Sequence, residues 1–137
     1  MEDTIFMKII RREVPADIVY EDDETLAFLD IAPNAPGHTL VIPKRPFRNI
    51  FDVDQETFAA VMETVRKIAP AVRDAVGASG VHINSNHEPE AGQEVPHLHM
   101  HIIPRHDRSY FEFPWPKLPY VEREAKDIAE KIRSRIG

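Results

Sequence analysis

The chain contains no cysteine. Disulfides, a thiol nucleophile and any Cys-based metal site are therefore excluded. Basic charge is in the minority: 17 Lys and Arg stand against 23 Asp and Glu, for a net charge of −6. A protein that grips nucleic-acid backbones needs the opposite balance, so no general nucleic-acid binding is expected, although a single anionic ligand can still occupy a local site. No apolar run approaches the ~18 residues that would mark a membrane-spanning helix, so no membrane partner is expected. The acidic start Met1-Glu2-Asp3 has no signal-peptide pattern, and a cytoplasmic location is the default expectation. Glycine is scarce, 5 residues against 12 prolines, which points to rigid connections between elements. Internal repeats and low-complexity segments are also missing.

What is present is ordinary globular composition, 42% apolar and 29% charged over 137 residues, enough chain for one domain with a real core. Its most informative stretch is Gln93-Glu94-Val95-Pro96-His97-Leu98-His99-Met100-His101-Ile102-Ile103-Pro104. Alternation is the period of a strand. It places His97, His99 and His101 on one face and Leu98, Met100 and Ile102 on the other, with Pro96 and Pro104 bracketing the strand. Three readings fit such a face. It is a solvated surface, or a metal site, since His at i and i+2 chelates Zn²⁺. Or it is a nucleophilic site in which neutral imidazole attacks an electrophile such as phosphorus. Three His in register, in a chain with seven, count against the first. Spacing alone does not separate the other two.

Along the chain, residues 4–11 read as a short helix capped by Asp3 or Thr4, with Ile5, Phe6, Ile9 and Ile10 as its apolar side. Residues 17–21 and 25–30 read as a hairpin around Asp22-Asp23-Glu24. The loop Pro33-Asn34-Ala35-Pro36-Gly37 leads into a strand over 38–43. Residues 53–76 form the strongest helix, with an apolar stripe from Phe58 to Val76. Asp52 with Gln55 resembles a capping box, Asp54 is an alternative cap, Gly77 suits the stop, and Pro70 should kink it. A strand at 80–85 and a polar loop at 86–92 precede the His strand. An aromatic and proline-rich segment, Tyr110 to Pro116, leads to a last amphipathic helix over 120–136. Hairpin connections with segregated helices predict an α+β fold with a mostly antiparallel sheet.

His97-Leu98-His99-Met100-His101-Ile102-Ile103 resembles the His-φ-His-φ-His-φ-φ motif of the histidine triad superfamily of nucleotide hydrolases and transferases. Gly92-Gln93-x-Val95 before it and Asp30-Ile31-x-Pro33-x-Ala35-Pro36-Gly37-His38-x-Leu40-Val41-Ile42-Pro43-Lys44 resemble it too. Ile5-Phe6-x-Lys8-Ile9-Ile10 is similar to the Hint branch, whose members hydrolyse adenosine phosphoramidates and acyl adenylates. The match covers roughly residues 3–105. It implies a histidine triad domain over 1–106 with five antiparallel strands, followed by an extension, 107–137, whose amphipathic helix is expected to pack on the same domain. It also implies a homodimer and a purine nucleotide substrate.

By the same resemblance, His99 is the nucleophile that forms a nucleotidyl-histidine intermediate, which water then hydrolyses. Imidazole, with a free pKa near ~6.5, is largely neutral at pH 7 and attacks without a strong base. His101 contacts phosphate or moves a proton toward the leaving group. His97 and His38 line and orient the phosphate site. Asn86, Gln93 and backbone N–H groups from Gly92 to Val95 bind non-bridging oxygens; a Cβ at position 92 would obstruct close approach. Asp30 matches the ribose-binding acid. Ile5, Phe6, Ile9, Phe28, Ile31 and Leu40 match base-pocket positions, although Ile9 and Leu40 serve equally well as plain core.

Two departures stand out. Glu94 lies where animal members of the branch carry a small hydroxyl residue near the scissile bond, and the tail is longer than in the small members. Where some bacterial relatives bind zinc, the matching positions are Thr4, Met7 and Pro46, poor ligands all, so no metal and no cofactor is expected. The leading expectation is a purine nucleoside phosphoramidate or nucleotidyl hydrolase. The alternatives are a dinucleoside polyphosphate hydrolase of the same fold, a nucleotide-binding module with little turnover, and a His-liganded metal hydrolase.

Overall fold

A computed structural model describes residues 3–108 and 117–137. The chain divides into two compact units, Met1–Asp107 and Arg108–Gly137. The expected aromatic arm around residues 110–116 lies outside the described residues.

The first unit starts with helix α1, Ile5–Ile10. Its free N-terminal amides need a partner, and Thr4 Oγ1 accepts from the Met7 N–H at 3.2 Å. Strands β1 (Ile18–Glu21) and β2 (Thr25–Leu29) form the expected hairpin. Asp22 shapes the turn, its Oδ1 accepting from the amides of Glu24 and Thr25 at 2.9 and 2.8 Å. Strand β3 is Thr39–Pro43 and helix α2 is Gln55–Ala75. Strand β4 is Gly80–Asn84, a single 3-10 turn covers Pro89–Ala91, and strand β5 is Met100–Arg105. All pairings are antiparallel and the order is β1-β2-β3-β5-β4. This is the expected α+β architecture with a five-stranded antiparallel sheet.

Both faces of the sheet are covered. On one, Ala27, Val41, Met100 and Ile102 meet Val61, Val65 and Ile68 of α2. On the other, Leu26, Phe28, Leu40 and Ile42 meet Phe6 and Ile9 of α1. Burial on both faces explains why β2 and β3 read as continuous apolar runs rather than alternations. It also occupies most of the α2 stripe inside its own chain.

Three local expectations change. The strand through the His residues begins only at Met100. His97 and His99 belong to its approach, where the Leu98 N–H donates to the Phe47 carbonyl at 2.7 Å instead of to a neighbouring strand. Pro104 lies within β5 rather than beyond it. It pairs with Val81 of β4, while β3 pairs only with Met100 to Ile102 and leaves Pro104 no strand partner on that side. Asp54, not Asp52, caps α2, accepting from the Thr57 amide at 2.7 Å. Asp52 serves the turn before it, bonded to the amides of Arg48 and Asn49. The helix runs as one element through Pro70, which sits on its exposed side, where water can satisfy the carbonyl left without a donor. Gly77 takes φ +66°, as a left-handed stop requires.

The second unit carries helix α3, Glu124–Arg135, shorter than expected. Ile128 and Ile132 fall one turn apart on it. Among the described residues no helix is long and apolar enough to cross a membrane.

Candidate active site

A cavity of about 810 Å³ opens over the α1 face of the sheet. Ile5, Phe6, Ile9, Phe28 and Leu40 make its apolar wall, with Ile31 at the fully exposed rim. Asp30, Asn86, Gly92, Glu94, Val95, His99 and His101 make the polar wall. Three of the expected site residues do not line it: His38, His97 and Gln93. The segment Val14 to Asp17 does line it, and sequence reading missed it because no periodic pattern or motif marks it.

The hydrogen bonds of the imidazoles decide their tautomers. His99 Nδ1 lies 2.7 Å from the carbonyl oxygen of His97. A carbonyl only accepts, so Nδ1 carries the proton and Nε2 is a bare lone pair. His97, almost fully buried, donates from Nε2 to the Pro43 carbonyl at 2.8 Å. It props the approach to β5 from behind the cavity. His38 Nδ1 accepts from the backbone N–H of Asn34 at 3.0 Å. Its proton therefore sits on Nε2, which donates to His101 Nδ1 at 2.8 Å. His101 must then carry its own proton on Nε2. That atom is buried, and no group among the described residues bonds to it; a buried donor left unpaired costs about 1–3 kcal/mol. One imidazole thus offers a lone pair, and its neighbour, with ring centroids 5.0 Å apart, offers a proton. Phe6 packs edge-on against His99 at 5.0 Å, and Ser85 Oγ donates to the His99 carbonyl at 2.7 Å.

Burial is the largest cause of a lowered pKa at His38, His97, His99 and His101 alike. His101 is pushed down to about 4, with the neighbouring His99 and His38 adding to the effect. All four are neutral at pH 7. The unfolded chain, by contrast, protonates its imidazoles near ~6.5. Below that pH the unfolded state binds more protons than the folded one, so stability falls with falling pH. We expect the melting temperature to drop from pH 7 toward pH 4, with a shallower drop in His101→Asn. Equal slopes for the two proteins would show that His101 contributes nothing to it.

The loop over residues 86–95 is held from behind. Gln93 is buried; its Oε1 accepts from the Glu88 amide and Asn49 Nδ2 at 2.8 and 3.0 Å, and its Nε2 donates to the carbonyls of Arg48 and Val95. With both ends engaged, Gln93 shapes the loop and does not reach the cavity. Gly92 has φ +91°, and a Cβ there would meet Asn86 Nδ2 at an ordinary 3.5 Å. The left-handed backbone conformation by itself favours glycine there. Glu94 is exposed on the cavity wall.

Asp30, His38 and His101 place one ligand-type atom each within 4.8 Å of one another. This is the arrangement closest to a metal site among the described residues. The two imidazole nitrogens there already share a proton with each other, so a cation could bind only by displacing it.

A family model described as "HIT domain" matches residues 11–108. The chain is 45% identical to "Protein hit" of Bacillus subtilis (strain 168), over 99% of this chain and 96% of that one. It is 43% identical to the "Purine nucleoside phosphoramidase" of Escherichia coli (strain K12), over 74% of this chain and 87% of that one. The crystal structure of SMU.412c from Streptococcus mutans UA159 superposes with a TM-score of 0.92 at 38% identity, covering 100% of this chain and 87% of that one. On the family model, the identities and the shared fold, the chain belongs to the HIT family.

Proposed function

We propose that the chain is a hydrolase that cleaves purine nucleoside phosphoramidates through a nucleotidyl-histidine on His99. The observation that carries this reading is the bond from His99 Nδ1 to the His97 carbonyl, which leaves Nε2 as a lone pair on the cavity wall. In the first step Nε2 attacks the α-phosphorus. The phosphorus–nitrogen bond to the leaving amine breaks, and the amine takes the proton from His101 Nε2, which a solvent proton replaces, so that no imidazolate accumulates. In the second step water attacks the nucleotidyl-histidine, and its proton passes to solvent. The phosphorus–His99 bond then breaks, and the nucleoside monophosphate leaves. The His97 carbonyl stabilises the positive charge that develops on the His99 ring during attack. The similarity to the Escherichia coli purine nucleoside phosphoramidase supports the substrate class.

Asp30, on the polar wall of the cavity, would accept hydrogen bonds from both ribose hydroxyls, and the apolar wall would take a purine without reading its edges. Steady-state turnover of adenosine 5′-phosphoramidate tests the reading, measured with and without chelator. Tight nucleotide binding with no turnover would instead support a binding module. Loss of activity on chelation would support a metal-activated water.

The charge of the cavity bears on the dinucleoside polyphosphate alternative. Asp17, Asp30 and Glu94 line it, and among the described residues no Lys or Arg does. An extended anionic leaving group is therefore repelled, whereas an amine is not. Glu94→Gln should raise the turnover of diadenosine polyphosphate relative to phosphoramidate by about tenfold, the ratio that ~1.4 kcal/mol of removed repulsion produces. An unchanged ratio would mean that Glu94 does not face the leaving group.

A homodimer belongs to the same proposal. β4 is an edge strand with Ile83 exposed, and an unpaired edge is a template for a second copy. With Val61, Val65 and Ile68 of α2 committed to the internal core, this edge is the expected contact. Light scattering should give twice the chain mass at micromolar concentration; a monomer there would reject the dimer.

A further inference from the structure

Asn34 reaches two ways from the loop between β2 and β3. Its backbone N–H donates to His38 Nδ1 at 3.0 Å, while its side-chain Oδ1 accepts from Arg105 Nη2 at 3.0 Å. Arg105 ends β5, the strand that carries His101. Its Nε donates to His82 Nδ1 on β4 at 2.8 Å, which sets the direction of the guanidinium. Two strands of the sheet thus hold the side chain of a residue whose amide points at His38. The loop itself is largely exposed from Ile31 to Asn34, so little packing fixes that amide.

Resting on the hydrolase reading above, we propose that Arg105, through Asn34, is a positioning residue that keeps His38 in the Nε2–H tautomer and so keeps the leaving-group proton on His101 Nε2. The bond between His38 and His101 has two possible senses. With a donor facing His38 Nδ1, His38 gives its Nε2 proton to His101 Nδ1, and His101 carries its own proton on the remaining nitrogen. If the Asn34 amide drifts, His38 can carry its proton on Nδ1. The bond then reverses: His101 Nδ1 becomes the donor, and Nε2 loses the hydrogen needed by the departing amine. The reversal changes no residue in contact with substrate. It converts an acid into a base at the point where the first step needs an acid. Burial is the main cause that holds His38 neutral; Asp30 opposes it, and the charge of Arg105 adds to it as a lesser effect.

Two adenosine 5′-phosphate derivatives differing only in the leaving group test this. An alkylamine must be protonated as it departs; 4-nitrophenolate need not be. General acid catalysis is worth about 10²–10⁴-fold where the proton is needed. Arg105→Gln and Asn34→Ala should each lower kcat/KM for the alkylamidate by more than about tenfold, and for the nitrophenyl ester by less than about twofold. The ratio of the two substrates does not depend on the fraction of folded enzyme, so poor folding of one variant does not disturb it. Equal losses on both substrates would overturn the proposal, as would a further change of the ratio when Arg105→Gln is added to His101→Ala.

Histidine ¹⁵N NMR provides an arm independent of activity. The native protein should show His38 with a bare Nδ1, and Arg105→Gln should show a mixture of tautomers. A native His38 protonated on Nδ1, or an unchanged tautomer in the variant, would overturn it. If the native enzyme turned over neither substrate, the hydrolase reading would fail, and the NMR arm would still decide whether Arg105 sets the tautomer.

Discussion

His99→Ala should abolish turnover while leaving nucleotide binding nearly intact. The substitution removes the one imidazole on the cavity wall, among the described residues, whose lone pair is fixed by a carbonyl on its other nitrogen. The apolar wall, Asp30 and His101 remain, so ground-state contacts persist. The loss should fall on kcat, by at least about 10⁴-fold, or ~5 kcal/mol of transition-state stabilisation. His99 also packs against Phe6, so the measurement needs a parallel check of Kd for adenosine monophosphate by calorimetry. Near-normal turnover in the variant would remove His99 from the chemistry.

His101→Ala should behave differently, and the difference is the stronger test of its role. Its buried Nε2–H meets no protein partner among the described residues, and a buried donor is ordinarily paired. Substrate supplies that partner when the leaving nitrogen takes the proton. The expected loss is about 10²–10⁴-fold for an alkylamine leaving group. It should shrink to a few-fold for a leaving group that departs as a stable anion. Because the His101 pKa lies near 4, the native rate should not fall along an ordinary imidazole titration as pH drops from 8 to 6. A loss of activity centred near ~6.5 would mean that a solvent-like imidazole controls the reaction.

Much of this was open to reading in the residues. Alternation from His99 to Ile102 divides a core side from a cavity side, since Met100 and Ile102 join the α2 core while His99 and His101 face the cavity; His97, on the same face by alternation, does not line it. What alternation could not supply is where pairing starts. Leu98 is pinned by the carbonyl of Phe47, far away in sequence, and no side-chain pattern encodes that bond. The tautomers share this limit. They are set by the carbonyls of His97 and Pro43 and by the amide of Asn34, backbone groups that every sequence possesses. Gln93 shows the opposite error. Its place beside the motif points to phosphate, but its amide is engaged by the Glu88 amide, the carbonyls of Arg48 and Val95, and the Asn49 side chain. Likewise Asp52 and Asp54 are equivalent caps by type, and only the path of residues 48–54 decides between them.

The central claim is that phosphorus changes partners twice, first to His99 and then to water. The stereochemical course at phosphorus reads this directly. A phosphoramidate made chiral at phosphorus with sulfur and oxygen isotopes is hydrolysed in labelled water, and the configuration of the product is determined. Each in-line displacement inverts phosphorus, so a covalent nucleotidyl-histidine predicts net retention. Net inversion would mean a single direct attack by water, and the lone pair of His99 would then need another purpose.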